Sequence, residues 1–92
     1  MPIKFACPCC GYKTFDHQPN GAYEICEVCF WEDDPIQQEN PDYEAGANPM
    51  SLRQAQQNFL DFGACDREML HNVRAPRDDE QRDENWKPLD AK

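Results

Sequence analysis

The sequences Cys7-Pro8-Cys9-Cys10-Gly11 and Cys26-Glu27-Val28-Cys29, with fifteen residues between Cys10 and Cys26, decide the fold of this chain. Two cysteine pairs with this spacing are typical of a site in which four thiolates bind one zinc ion. A gap of two residues lets a tight turn bring both sulfurs of a pair onto the ion, while backbone N–H groups donate to those sulfurs. We therefore predict one structural Zn²⁺ with four ligands: Cys7, Cys10, Cys26 and Cys29.

The residue that follows each cysteine pair differs between the two turns. Gly11 follows the first pair, at a position that often requires a positive φ, which glycine adopts without steric cost. Phe30 occupies the corresponding place in the second turn. We therefore predict a bulkier, less regular second turn, or a different backbone path there.

Two further cysteines lie outside this quartet. Cys9 could replace Cys10 as a ligand, form a vicinal redox pair with it, or point away; because C-x-C spacing closes a turn less well, we favour a non-ligand. Cys65 has no histidine or basic cluster beside it, which favours a buried thiol over a reactive one. A thiol redox enzyme or sensor that uses Cys9 or Cys65 is the alternative function.

Catalytic zinc requires an open coordination position, and four cysteine ligands leave none.

The length and composition favour a metal-stapled domain with reduced thiols. A chain of 92 residues, 39% of them hydrophobic, has a marginal core, and a metal is a common staple in such chains. The sequence begins without an apolar run that resembles a signal peptide, so we expect a cytoplasmic protein. No stretch approaches the roughly 18 apolar residues that cross a bilayer.

The charge is strongly acidic, with nine basic and eighteen acidic residues and a net charge of -9. Residues 23–43 contain seven acids and no base. Such a field repels phosphate groups, so direct binding to nucleic acid is disfavoured, although some zinc ribbons bind it.

An aromatic side chain beside three acids suggests how the chain recognises a partner. We predict a non-enzymatic protein-interaction module whose acidic aromatic surface docks a protein with a basic surface. A specific form of this hypothesis is an immunity or antidote protein that masks a basic toxin; alternatively, the acids only keep the protein soluble. The predicted surface consists of Trp31, Glu32, Asp33 and Asp34, with Tyr43 as a further candidate.

The C-terminal half has a clear helix signal. Ser51 is a predicted N-cap with Gln54 as its capping-box partner, and Gly63 ends the helix. Three- and four-residue steps place Leu52, Ala55, Phe59 and Phe62 on one apolar stripe, and they leave Gln56, Gln57, Asn58 and Asp61 facing water. A second short helix is predicted over residues 66–74.

We therefore predict a single domain over residues 1–92, of the small α+β class, in which a zinc-ribbon-like β-hairpin module precedes a helical C-terminal half. The module covers residues 4–34, an acidic loop residues 35–49, the helical segment residues 50–75, and a charged tail, anchored by Trp86, residues 76–92.

Four stretches of the chain resemble one known family. The runs CPCCGYKTF, YEICEVCFWEDDP, GANPMSLRQAQQNFLDFGAC and RDENWKPLD resemble, in this order, the bacterial cysteine-rich CPCC family. The resemblance implies a bacterial, cytosolic, zinc-ribbon-like domain with a helical C-terminal half, and it implies no activity. Arg82, Asp83 and Trp86 resemble the family pattern as well, which implies an ordered tail.

Overall fold

The computed structural model describes residues 4–19 and 21–90. Two short strands, β1 (Phe5–Ala6) and β2 (Lys13–Phe15), form an antiparallel hairpin with an irregular register. Two α-helices follow, α1 (Pro35–Glu39) and α2 (Leu52–Phe62), and then a single 3-10 turn. The fold is a small α+β domain, as predicted. Within the described residues, no helix combines the length and apolar character that a membrane-spanning helix needs.

A second, looser hairpin surrounds the second cysteine pair. Ile25 and Glu32 form an isolated antiparallel bridge. The N–H of Tyr23 donates to the carbonyl of Asp33 at 3.0 Å, and the N–H of Asp33 donates to Glu24 at the same distance. This part of the predicted β-hairpin module is therefore only a short ladder. Each cysteine pair lies at the tip of a hairpin.

Helix α1 interrupts the segment predicted as an acidic loop. The carboxylate of Asp34 accepts hydrogen bonds from the N–H groups of Ile36 and Gln37, and Pro35 occupies the first turn, where proline is favoured. One turn of helix is too short to produce a hydrophobic period, so the pattern alone did not reveal it.

Helix α2 confirms the predicted helix. The hydroxyl of Ser51 accepts from the N–H of Gln54 at 3.1 Å, and Gly63 closes the helix in the left-handed conformation with a φ of 91°. The amide of Gln54 donates to Asn58 at 2.9 Å, so its side chain is engaged there and no bond back to Ser51 is seen. Leu52 and Ala55 are buried, as the apolar stripe predicts.

The helix predicted over residues 66–74 is wrong, because only Arg67–Met69 forms a 3-10 turn. The carboxylate of Asp66 accepts from the N–H of Glu68 and starts the turn. The N–H of Arg74 instead donates to the carbonyl of Glu27 at 3.1 Å, and this bond draws the chain toward the second cysteine turn. Tertiary hydrogen bonding therefore overrides a weak helical pattern.

The core is built around sulfur. All six cysteines are buried in one cluster with a few larger side chains, and the indole of Trp31 and the ring of Phe15 are the largest among them. Helix α2 packs its buried face against this cluster. Six small thiol side chains therefore make up about half of the residues in this cluster, and a metal is a common staple for a small core of this kind.

Candidate metal centre

The structure brings together the four cysteines predicted as ligands. Their sulfur atoms all lie within 4.8 Å of one another, and all four residues are buried. The sulfurs of Cys7 and Cys29 are 3.6 Å apart, and those of Cys10 and Cys26 are 3.7 Å apart. A tetrahedral site with metal–sulfur bonds of about 2.3 Å has sulfur–sulfur edges of about 3.8 Å, whereas a disulfide bond is about 2.05 Å long. The spacing therefore fits four thiolates around one ion.

The two cysteine turns, residues 7–11 and 26–30, have the same hydrogen-bond pattern. The N–H of Gly11 donates to Cys7 at 2.8 Å, and the N–H of Phe30 donates to Cys26 at 2.7 Å. The N–H of each first cysteine then donates to the residue after the turn, at 2.9 Å in both cases. The two turns thus present their sulfurs from matching backbones.

The irregular second turn predicted from Phe30 is wrong. Phe30 adopts a φ of 70°, close to the 83° of Gly11 in the first turn. This conformation costs a residue with a β-carbon on the order of 1 kcal/mol. The ring of Phe30 packs against the buried cluster, and this contact offsets the cost. Packing therefore allows phenylalanine where glycine is the unstrained choice.

Thr14 is a supporting residue that the sequence pattern did not reveal. Its hydroxyl donates a hydrogen bond of 3.1 Å to the sulfur of Cys26. Hydrogen bonds from Cys10 foremost, then from Cys29, Cys7 and Thr14, hold the pKa of the Cys26 thiol well below its usual range. The hydroxyl of Thr14, in strand β2, adds a smaller contribution in the same direction as the three cysteines.

The electrostatics of the quartet suit a cation. Burial raises the pKa of Cys7 and of Cys29 well above the usual range, because an unpaired thiolate is costly in a dry core. Several thiolates at these distances repel one another unless a positive ion lies between them. The donor set fits a thiophilic divalent metal.

Cys9 and Cys65 are buried but stand outside the quartet. Burial raises the pKa of both thiols. The N–H of Cys65 donates to the carbonyl of Cys29 at 2.8 Å, so the backbone of Cys65 supports the second cysteine turn. The predicted burial of Cys65 is confirmed.

The carbonyl of Pro8, inside the first cysteine turn, accepts two side-chain hydrogen bonds from distant parts of the chain. The indole N–H of Trp86 donates to it at 2.9 Å and the amide of Gln56 at 2.8 Å. Gln56 is only 3% exposed, so the prediction that it faces water is wrong. The other predicted water-facing residue with an internal bond is Asn58, which donates to the carbonyl of Cys65 at 2.8 Å.

The tail covers the first cysteine turn with further contacts. The guanidinium of Arg82 donates to the carbonyl of Cys10 at 2.9 Å and stacks 4.6 Å from the centre of the Trp86 ring. The N–H of Asp83 donates to Gly11 at 2.8 Å. Trp86 also lies so close to Gly11 that a β-carbon there would be 2.6 Å from the indole. We name residues 81–90 the tail clamp.

The acidic aromatic docking surface predicted at residues 31–34 is wrong. Trp31 is 0% exposed, Asp33 1% and Asp34 5%, and only Glu32 reaches the surface in part. One carboxylate oxygen of Asp33 accepts from two backbone N–H groups in the preceding loop, at 2.9 and 3.2 Å. Asp34 caps α1 and also accepts from Ala47 at 2.8 Å. The carboxylates of Asp33 and Asp34 are therefore buried in contact with the backbone of the loops that they hold in place.

Gln37 and Asn48 complete this internal network. The amide nitrogen of buried Gln37 lies 2.9 to 3.1 Å from three backbone carbonyls between residues 43 and 50, which share its two N–H hydrogens. Asn48 donates to the carbonyl of Glu32 at 2.7 Å and accepts from its N–H at 2.9 Å. The loop after α1 is therefore fixed to the second hairpin by side-chain amides.

Comparison with known proteins gives one family. No relative among curated proteins matches the chain. A family model described as cysteine-rich CPCC matches residues 5–80, a range that contains both cysteine turns and α2. The tail clamp follows the matched range, so the resemblance drawn for Arg82, Asp83 and Trp86 stays a prediction. The match covers far more than half of the chain, which therefore belongs to the cysteine-rich CPCC family.

Proposed function

We propose that this chain is a zinc-ribbon-like domain in which one structural Zn²⁺ replaces part of a hydrophobic core, and that the domain acts through protein contacts. The observation that carries the proposal is the buried quartet, whose sulfur–sulfur distances of 3.6 and 3.7 Å fit a tetrahedral site. Four thiolate ligands close the coordination sphere and are typical of a structural ion. When bound, the ion would link the two hairpins and offset two of the four negative charges of their thiolates.

The residues around the quartet support a structural role. The two cysteine turns are closed by matching backbone hydrogen bonds, and Thr14 orients the sulfur of Cys26. Outer hydrogen bonds of this kind commonly fix metal ligands and tune their basicity. Each contact holds a ligand in place.

The thiol redox alternative is less well supported. A reactive cysteine needs an accessible thiolate, whereas Cys9 and Cys65 are buried and burial raises the pKa of both. A basic protein partner and an antidote role against a basic toxin stay predictions that rest on charge and size, and a cytoplasmic location stays a prediction as well.

The proposal is tested by counting and removing the metal. Native mass spectrometry of untagged protein should show one zinc ion per chain, and Co²⁺ exchange should give the absorption of a tetrahedral four-thiolate site. Removal of the ion by a chelator should abolish the dispersed amide NMR spectrum, and added zinc should restore it. A metal-free protein with an unchanged, dispersed spectrum would disprove the structural role.

A further inference from the structure

A small apolar cavity opens behind the second cysteine turn. Its volume is about 70 Å³, and large apolar side chains from three separate segments line it: Ile25 and Phe30 from the second hairpin and its cysteine turn, Met50 from the residues before α2, and Met69 from the 3-10 turn. Ile25 is 43% exposed and the other three are partly buried. Pockets for small-molecule ligands are commonly about 300 Å³ or larger, so this cavity has room only for the end of one side chain.

The rim of this cavity is acidic. Glu32 and Asp66 both line it, and no Lys or Arg does so among the described residues. Two hydrogen bonds from Asn48 hold the backbone of Glu32 in place. Neither carboxylate belongs to an ion pair within residues 4–19 and 21–90. Two uncompensated negative charges therefore flank an apolar opening.

We propose that this cavity, defined by Ile25, Phe30, Met50 and Met69, docks one aliphatic side chain of a protein segment in which Lys or Arg stands on either side of that residue. Charge complementarity identifies the partner, because basic neighbours would meet Glu32 and Asp66, and the whole chain carries a net charge of -9. Methionine side chains are unbranched and polarisable, and they adapt to differently shaped apolar groups.

The inference rests on the proposed function, because Phe30 reaches the cavity from a turn whose two cysteines belong to the metal quartet. Phe30 adopts a φ of 70° in this turn, and Cys65, which also lines the cavity, donates its N–H to Cys29. No ligand sulfur of the quartet lines the cavity. Changes at its rim should therefore leave metal binding intact.

The test uses methyl NMR of the zinc-loaded protein with ¹³C-labelled methionine methyl groups. The chain contains three methionines, and two of them, Met50 and Met69, line the cavity. The probe is a capped peptide with the sequence Lys-Lys-Leu-Lys-Lys, added at low ionic strength. We expect saturable shifts of both methyl signals, and binding weaker by about tenfold or more when serine replaces the leucine.

One variant of the protein tests the contribution of charge to peptide binding, and a second variant is the control. The double substitution Glu32→Gln with Asp66→Asn should weaken binding of the leucine peptide several-fold. Leu60→Ser, on the exposed side of α2 where Leu60 is 50% exposed, is the control and should bind as the parent does. Equal binding of the serine peptide, an unchanged double variant, or shifts that avoid both methyl groups would overturn the proposal. The zinc count and amide spectrum, recorded before peptide is added, show separately whether the metal proposal has failed.

Discussion

The hydroxyl group of Thr14 donates a hydrogen bond of 3.1 Å to the sulfur of Cys26, which joins strand β2 to the second cysteine turn. Loss of such an outer contact commonly lowers metal affinity about 10- to 100-fold. We therefore expect Thr14→Val to release zinc to a chromophoric chelator at lower chelator concentrations. Thr14→Ser keeps a hydroxyl and should remain close to the parent. Equal affinity of the valine variant would show that the bond does not tune the metal.

The ligand assignment predicts unequal effects of two serine substitutions in buried cysteines. Cys26→Ser removes a member of the quartet, and metal-binding free energy on the order of 10 kcal/mol is folding free energy in such sites. We expect this variant to lose zinc and to unfold the hairpins, as seen in the amide NMR spectrum. Cys9→Ser should retain one zinc ion and a dispersed spectrum. If both substitutions cost the same, the assignment of ligands is wrong.

The tail clamp predicts a difference between two glycines. Gly11→Ala would place a β-carbon 2.6 Å from the indole of Trp86 at a φ of 83°, and it should displace the clamp. Gly63→Ala introduces similar backbone strain at a φ of 91° with no atom within 4 Å, so it serves as the control. We expect both variants to lose about 1 kcal/mol or more of unfolding free energy, with the larger loss for Gly11→Ala.

The same pair of variants tests whether the clamp shields the metal. Zinc transfer to an excess of chelator should be faster only in Gly11→Ala, because the clamp covers the turn that carries Cys7 and Cys10. Equal transfer rates in the two variants would show that the clamp stabilises the fold without limiting access to the ion.

The buried amide of Gln37 predicts a large effect of a substitution that preserves shape. Gln37→Met removes the two N–H hydrogens that three backbone carbonyls share, and an unsatisfied buried polar group costs about 1–3 kcal/mol. We expect the free energy of unfolding in urea, with zinc present, to fall by about 3 kcal/mol or more. Gln57→Met, on the exposed side of α2, should change it by less than about 0.5 kcal/mol. A small loss at Gln37 would mean that water replaces its bonds.

The ion pair between Arg74 and Glu80 predicts a specific pH dependence. The guanidinium of Arg74 donates to both oxygens of Glu80 at 2.6 and 2.8 Å, and chiefly for this reason the pKa of Glu80 falls from 4.5 to about 2. The ionised carboxylate is favoured in the folded state, so its contribution is complete above pH 4.5 and is lost as the pH falls toward 2. Glu80→Gln should cost about 1 kcal/mol at neutral pH.

Urea unfolding of the zinc-loaded protein between pH 7 and 5.5 checks this sign. The difference between the parent and Glu80→Gln should stay constant over that range, because Glu80 remains ionised in both the folded and the unfolded chain. A difference near zero at neutral pH, or one that grows as the pH falls within this range, would mean that the folded state does not favour the ionised carboxylate, and it would contradict the ion pair.

The sequence predicted the parts of the fold that depend on spacing. Four cysteines at fixed intervals must converge if they bind one ion. Helix α2 is bounded by Ser51 and Gly63, and capping by these two residues depends on local backbone geometry more than on tertiary contacts. Residues 66–74 lacked such signals, and a tertiary hydrogen bond from the N–H of Arg74 to the carbonyl of Glu27 draws this segment toward the second cysteine turn.

The burial of polar side chains could not be predicted from sequence spacing in the same way. Asp33, Asp34, Gln37 and Gln56 are buried because backbone groups elsewhere in the chain need their oxygens and amides. Hydropathy assigns such residues to the surface, and only the folded arrangement shows their partners. Thr14 was missed for a related reason, since a lone hydroxyl in a strand carries no positional signal.

The bond between Trp86 and the carbonyl of Pro8 joins residues 78 positions apart. On a ribosome, Pro8 emerges long before Trp86 has been translated, and Gln56, the other donor to the same carbonyl, also arrives late. Until most of the chain has been made, the carbonyl of Pro8 therefore lacks both of these donors. During that time the two thiols of the first cysteine turn are incompletely enclosed. Nascent chains that stall before residue 81 would expose these thiols to oxidants and to competing metals.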